Sequence, residues 1–169
     1  MNHKDSTKKF CEIVLDLNLW QTYSDRLKKA YEKLETDNWL SVMNLKNNAE
    51  IGCNDYMTTI MMLRGMTIEC LLKGLLVSQG NITCKNDELC IPGKYSHHNL
   101  ISMLEDLKDI SINNEDKKVL EKLSYYIVAG RLPRKKVNNG KFIGFWTSFD
   151  EDSYKTMLEN IEGIFVAHK

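Results

Sequence analysis

The sequence predicts an all-α protein, an up-and-down bundle of four to five helices that forms a single domain over residues 1–169. Three observations support this prediction. Only two prolines and nine glycines interrupt the chain, which favours long helices. Apolar residues recur at helical spacing in several segments. Strand-like alternation is absent apart from 141–146. Apolar and charged residues make up 43% and 27% of the chain, as in ordinary globular domains.

The first part of the chain divides into a lead-in and two helices. Residues 1–15 show only a weak pattern and are expected to be a weakly structured lead-in. An amphipathic helix is predicted over 17–36, with a break or a cap at Asp37 or Asn38. A shorter helix is predicted over 39–51.

The segment 56–80 is apolar on nearly every side of a helix, a pattern that is typical of a buried helix. Asn54 or Asp55 is expected to cap its start. Gly80 is expected to end it, because glycine adopts the left-handed conformation of a helix stop at little cost. The segment is therefore predicted to be the central helix of the bundle.

Three charges lie near the middle of this helix. They need an explanation, since buried charges are costly unless they are paired or serve a function such as binding. They also argue against a membrane span. Glu69 and Lys73 are four residues apart and are predicted to form an ion pair at the edge of the core. Arg64 points well away from Glu69. In the alternative interpretation, Arg64 and Lys73 line a cleft that accepts a phosphate or an acidic group of a partner.

The second half begins with a polar loop over 81–96 and a short helix over 98–107. Asn113 or Asn114 is expected to cap a further helix over 115–130. A second loop is expected over 134–146.

The last helix is predicted to begin with a capping box formed by Ser148 and Glu151 and to end near His168.

One cluster of basic residues surrounds the second loop. Aromatic residues follow it, and basic residues beside exposed aromatics suit single-stranded nucleic acid. The alternative is a solvated loop whose aromatics fold back onto the bundle. The net charge of zero argues against a surface built as a whole to hold nucleic acid or an anionic membrane. The cluster comprises Arg131, Arg134, Lys135, Lys136 and Lys141, followed by Phe142, Phe145 and Trp146.

The five cysteines form an odd set without an export signal, which predicts a reducing, cytoplasmic setting. Cys84, Cys90, His97 and His98 have the ligand types of a zinc site. Their Cys-x5-Cys spacing is looser than the usual gap, so ordinary thiols are preferred. His98 is expected to cap or pack at the start of its helix. The sequence thus predicts no metal and no other cofactor.

Three landmarks follow one another along the chain: residues 64–76, the His98-Asn99-Leu100 tripeptide, and residues 126–133, which end in Gly-Arg-Leu-Pro. In this order they resemble the HEPN domain family. The resemblance implies a four- or five-helix bundle that is frequently dimeric. Many members of that family act in toxin–antitoxin or defence systems. Some cleave RNA, some bind nucleotides, and others are inert partners of nucleotidyltransferases.

The ribonuclease branch of that family carries an arginine followed four to six residues later by a histidine. Neither Arg64 nor Arg131 is followed by one. Because metal-free RNA cleavage needs a group that moves a proton near neutral pH, this departure weakens the enzymatic interpretation.

The leading hypothesis is a non-catalytic binding module, active as a homodimer. Its ligand would be a nucleotide, RNA or a protein partner such as a nucleotidyltransferase, bound near Arg64, Lys73 and the basic loop. One alternative is a metal-independent ribonuclease with an unusual proton-transfer group. Another is a plain dimerising scaffold.

Overall fold

A computed structural model of the protein describes residues 3–45, 53–95, 97–129 and 148–169. The described residues are mostly helical, with one short β-hairpin between the third and fourth helices. A single 3-10 turn over Gly93–Tyr95 follows the hairpin. The elements are α1 (His3–Val14), α2 (Leu17–Leu45), α3 (Cys53–Ser78), β1 (Thr83–Lys85), β2 (Glu88–Cys90), α4 (Leu100–Glu105), α5 (Asn114–Ala129) and α6 (Ser148–Ala167).

The long helix α3 lies at the centre, and α2 packs along it in the opposite direction. Arg64, in the first half of α3, contacts Glu35 in the second half of α2. Gly74, near the end of α3, lies against Trp20 near the start of α2. Because the two pairs run in opposite order along the two helices, α2 and α3 are antiparallel.

The other two long helices continue the alternation. Arg64 and Gly74 of α3 also contact α6, at Glu151 and at Phe165 respectively. Because the two pairs run in the same order along both helices, α6 is parallel to α3. Lys122 of α5 contacts Asp150 of α6, and the start of α5 shares a pocket with residues 156–160. Thus α5 is antiparallel to α6, and the described helices have the up-and-down order that the sequence predicts.

The core is built around α3, which buries apolar residues on several sides. Its neighbours each contribute one apolar stripe, as expected for helices that have one solvated face. Among the described residues, no helix has the length and apolarity needed to cross a membrane. The buried apolar residues of α3 are Ile60, Met61, Ile68, Leu71, Leu72, Leu75 and Leu76. Those that pack on them include Tyr31, Leu100, Met103, Leu104, Val119, Leu120, Leu123, Ile127, Tyr154, Met157, Leu158, Ile161 and Phe165.

Two expectations about the N-terminal part are wrong. The lead-in is helical, since α1 covers His3–Val14. The chain also does not break at Asp37 or Asn38, because α2 is continuous over Leu17–Leu45. Asp37 accepts a hydrogen bond from Lys33 one turn earlier, at 3.0 Å. No glycine or proline is present there to end the helix.

The bounds of α3 are close to the prediction. The helix begins at Cys53, so Asn54 and Asp55 lie inside it rather than ahead of it. Gly80 follows the last turn with a φ of 74°, in the left-handed region that glycine adopts without strain. The predicted stop at Gly80 is therefore confirmed.

The loop predicted over 81–96 contains an antiparallel hairpin, in which Thr83 pairs with Cys90 and Lys85 with Glu88. Asn86 and Asp87 form the turn and have φ values of 52° and 63°. Two consecutive left-handed residues are characteristic of a tight hairpin turn, and asparagine and aspartate tolerate this conformation better than other side chains.

The remaining helices begin close to the predicted positions. The side chain of Asn99 accepts a hydrogen bond from the backbone three residues later and caps α4. Asn113 caps α5 as predicted, since Asn113 and Asp116 each accept a hydrogen bond from the other's backbone N–H. α6 begins at Ser148, while the Ser148 side chain and the loop 134–146 lie outside the described residues.

We expect Gly74→Ala to destabilise the protein. A Cβ atom at this position would lie 2.9 Å from Cζ of the buried Phe165 ring and 3.0 Å from Cβ of Trp20. Relieving such overlaps typically costs roughly 1–3 kcal/mol. Gly163→Ala is the matched control, because a Cβ atom there has nothing within 4 Å. Urea denaturation would compare the two variants. Equal stabilities would contradict the close approach of these helices.

Candidate functional site

Arg64 is a buried charge that joins three helices. Its side chain is only 5% exposed. Its Nε donates a hydrogen bond of 2.8 Å to Glu35 of α2. Its Nη1 and Nη2 donate bonds of 2.5 and 2.9 Å to the two carboxylate oxygens of Glu151 in α6. We refer to Arg64, Glu35 and Glu151 as the Arg64 network. Such two-pronged arginine–carboxylate pairs are strong and directional.

Two tyrosine rings complete the surroundings of the Arg64 guanidinium. The guanidinium carbon lies 5.4 Å from the centroid of the Tyr31 ring and 4.7 Å from that of Tyr154. The Tyr154 hydroxyl donates a hydrogen bond of 3.1 Å to the Tyr31 hydroxyl. Burial raises the pKa of both hydroxyls, so both remain neutral donors and acceptors at neutral pH.

The Arg64 network favours the structural interpretation of this arginine. Its donors already face two carboxylates, whose negative charges would repel a phosphate. Burial also raises the pKa of Glu35, although Arg64 acts in the opposite direction. One guanidinium is therefore shared by two acidic groups, and no positive charge is left over at this point of the bundle.

Glu69, Lys73 and His98 form a second group, which we call the Glu69 cluster. Lys73 Nζ donates to Glu69 Oε1 at 2.6 Å, so the predicted ion pair is confirmed. His98 Nδ1 lies 3.0 and 2.9 Å from the two carboxylate oxygens of Glu69. Burial acts to raise the pKa of Glu69, but the hydrogen bonds and charges of Lys73 and then His98 outweigh burial and lower it.

His98 has an unusual backbone conformation, with a φ of 56°. Positive φ values are uncommon for residues other than glycine, although asparagine, aspartate and histidine adopt them more often than the rest. Of the two roles expected of His98 at the start of its helix, the cap is formed by Asn99 instead, whereas His98 packs against Glu69. His98 turns to α3 and is partly exposed, with 24% of its side chain accessible. This contact between residues 29 positions apart has no signature in sequence spacing.

The structure does not bring Arg64 and Lys73 into one cleft. Arg64 faces α2 and α6, whereas Glu69 and Lys73 face the residue that precedes the cap of α4. Positions five residues apart on a helix point in different directions. The separation predicted for Arg64 and Glu69 is therefore confirmed.

The zinc hypothesis fails because of Cys84. Its sulfur is joined to Cys11 by a disulfide bond, which removes one of the four candidate ligands. In the described ranges, no three histidine, cysteine, aspartate or glutamate side chains converge as a metal site would require. Cys84 is thus not the ordinary thiol that the sequence predicts, and the cysteine argument for a reducing setting does not apply to the Cys11–Cys84 pair.

Four candidate ligand-binding residues, Arg131, Arg134, Lys135 and Lys136, lie outside the described residues.

A third polar cluster near the chain terminus was not predicted. His168 Nδ1 lies 3.3 Å from Ser78 Oγ, and His168 Nε2 lies 3.1 Å from Asp109 Oδ2. These are the residue types of a hydrolytic triad, but the Ser78 hydroxyl donates its proton to the Leu75 carbonyl of its own helix at 2.8 Å. The cluster therefore links the end of α3 to the end of α6.

Comparison with known proteins finds no protein-family model, curated protein or solved structure that matches the chain.

We expect Arg64→Ala to lower the free energy of unfolding by about 3 kcal/mol, the lower end for a broken buried pair. Glu35 and Glu151 lose their shared partner, but they are 35% and 26% exposed and Glu151 keeps its contact with Lys155. Lys33→Ala is the control, since Lys33 and Asp37 form an exposed pair on one helix. Such pairs contribute only about 0.3–0.5 kcal/mol. Chemical denaturation at neutral pH would measure both. A loss for Arg64→Ala no larger than the control would refute the structural role of the Arg64 network.

Proposed function

We propose that the protein is a non-catalytic module that binds RNA through its basic segment, residues 130–147. The observation that carries this proposal is the segregation of charge along the chain. The segment has five basic residues and no acidic residue. The whole chain has 23 of each, so the remainder holds 18 basic and 23 acidic residues. A segment of charge +5 is therefore attached to a body of charge −5.

The helical bundle pairs its buried and half-buried cations internally, which supports the assignment of ligand binding to the basic segment. Arg64 faces Glu35 and Glu151. Lys73 faces Glu69, and Lys122 binds both oxygens of Asp150 at 2.7 and 2.8 Å. A phosphate backbone would have to displace a carboxylate at each of these positions.

The two helices that flank the segment are held together by an ion pair. The segment connects α5 to α6, and the Lys122–Asp150 pair holds these two helices together near the start of α6. Phe142, Phe145 and Trp146 lie in the same segment. Stacking of bases on such side chains contributes affinity without sequence preference. The ligand class we propose is accordingly single-stranded RNA, bound by phosphate contacts and stacking.

The resemblance to the HEPN family is compatible with this function. In that context the protein would act in a toxin–antitoxin or defence system, as a homodimer or beside a nucleotidyltransferase. These partners, and the nucleotide ligand, remain predictions from the sequence.

We expect the double substitution Arg131→Ala/Lys135→Ala to weaken binding of a labelled single-stranded RNA by about tenfold or more at low salt, because two phosphate contacts are lost. The slope of log K against log salt should fall by about 1.4, at roughly 0.7 per contact. Arg26→Ala/Lys29→Ala is the matched control, since it removes the same two residue types from an exposed part of α2. Fluorescence anisotropy would provide the affinities. If the unsubstituted protein does not bind the labelled RNA at low salt, the proposal is wrong.

A second candidate function is metal-independent RNA cleavage, and the Glu69 cluster is the observation that favours it. In neutral His98 the proton lies on Nδ1, facing the Glu69 carboxylate, so Nε2 has the form that accepts a proton. A carboxylate that orients a histidine in this way is the arrangement used for general base catalysis. Lys73 adds a positive charge at the same carboxylate. Here His98 would take the proton of a ribose 2′-hydroxyl as its oxygen bonds to the adjacent phosphorus, while the bond to the 5′-oxygen breaks and that oxygen leaves with a proton from solvent. His98 would thus supply the group that neither Arg64 nor Arg131 has nearby in sequence.

Incubation of labelled RNA with the protein and EDTA tests this second candidate. If this candidate holds, EDTA-resistant cleavage is seen and falls by about 100-fold or more in His98→Asn, because general base catalysis contributes about 10²–10⁴-fold. Asparagine tolerates the left-handed conformation, so the substitution preserves the backbone. His97→Asn, at the exposed neighbouring position, should retain activity. Intact RNA in every sample would exclude cleavage and leave the binding proposal standing.

A further inference from the structure

The disulfide bond between Cys11 and Cys84 joins two parts of the chain that are 73 residues apart. Cys11 lies in α1 and is 4% exposed, whereas Cys84 lies at the centre of β1. The bond therefore fastens the N-terminal helix to the hairpin that follows α3.

Over residues 8–14, the part of α1 whose side chains the structure describes, few other contacts hold the helix in place. Among its described side chains, only Cys11 and Val14 are buried. Phe10 and Ile13 of the same helix are 52% and 44% exposed. At the C-terminal end of α1, the Val14 carbonyl accepts a hydrogen bond of 2.7 Å from the side chain of Trp20 in α2. An isolated helix of 12 residues is marginal in water, so its position depends strongly on the cross-link.

We propose that the Cys11–Cys84 bond is a redox-sensitive clasp, whose reduction releases α1 from the hairpin while the bundle of α2 to α6 stays folded. The reductant is a dithiol. Its first thiolate attacks one sulfur of the bond, and its second thiol resolves the mixed disulfide. The dithiol becomes a cyclic disulfide, and Cys11 and Cys84 each leave as a thiol, so two electrons and two protons are transferred.

The other described thiols are poorly placed to open the clasp. Cys90 is exposed and pairs with Thr83, whereas Cys84 pairs with Leu89. Side chains of neighbouring positions on a strand point to opposite faces, so Cys90 and Cys84 lie on opposite faces of the hairpin. Burial raises the pKa of the Cys70 thiol to about 11, which leaves it protonated and unreactive at neutral pH. Since neither of these described thiols is placed to open the bond, the proposal takes its reductant from solution.

The bond itself can be detected by a tryptic digest without reductant. Cleavage after Lys9 and Arg26 and after Lys73 and Lys85 yields the peptides 10–26 and 74–85, which contain Cys11 and Cys84 as their sole cysteines. We expect them to appear as one linked species from protein purified in air, and as two peptides after treatment with dithiothreitol. Absence of the linked species would overturn the proposal.

Hydrogen exchange measured by mass spectrometry tests the release of α1. After reduction, we expect the amides of residues 8–14 to exchange at least about tenfold faster, while those of α5 keep their rates. Cys11→Ser should exchange rapidly with or without dithiothreitol, and Cys90→Ser should behave like the unsubstituted protein. Unchanged exchange at residues 8–14 would refute the clasp. Faster exchange in α5 as well would refute it too, since the bond would then support the whole fold.

Discussion

The contact of Arg64 with Glu35 and Glu151 is the constraint on which the bundle depends most. It lies where α2, α3 and α6 meet, and its hydrogen bonds have fixed directions. The buried guanidinium fixes the positions of α2 and α6 along α3, because a shift of either helix would separate a desolvated charge from its partner. Gly65, the next residue, lets α5 approach on another side, since a Cβ atom there would come within 2.7 Å of Ile127. All four long helices are thus positioned at one level of α3.

The Glu69 cluster places the start of α4 in a similar way. Glu69 is buried, and its charge is compensated from its own helix by Lys73 and from outside by His98. The left-handed backbone of His98 is unfavourable by itself, so the contact must stabilise it. The same geometry aligns a histidine with a carboxylate near the surface, which is why one cluster supports both a structural role and the second candidate function.

The hairpin and its disulfide bond stabilise the structure by a different means. A cross-link between residues 73 positions apart restricts the unfolded chain, a contribution of about 4 kcal/mol in the chain-entropy description. The bundle has a continuous core of its own, whereas α1 buries little. The cross-link therefore matters most for α1, whose described side chains include only two buried ones.

Much of the fold could be predicted from local patterns. The all-round apolar character of α3, the stop at Gly80, the cap at Asn113 and the Glu69–Lys73 pair are set within a few residues, where backbone and side-chain chemistry is local. The errors have physical causes as well. α2 continues past Asp37 because no helix breaker follows and because Glu35, just before it, is held by α3. The hairpin at Asn86 and Asp87 is short, and alternation over three residues is too weak a signal.

The sequence by itself therefore determined the class of fold, the central helix, and the charges that needed partners. Only the tertiary structure decided which partners they have. Glu35 and Glu151 flank Arg64, His98 approaches Glu69, and Cys84 meets Cys11 rather than a metal. These contacts join residues 29 to 87 positions apart, and they depend on how whole helices pack, which spacing along one helix does not encode.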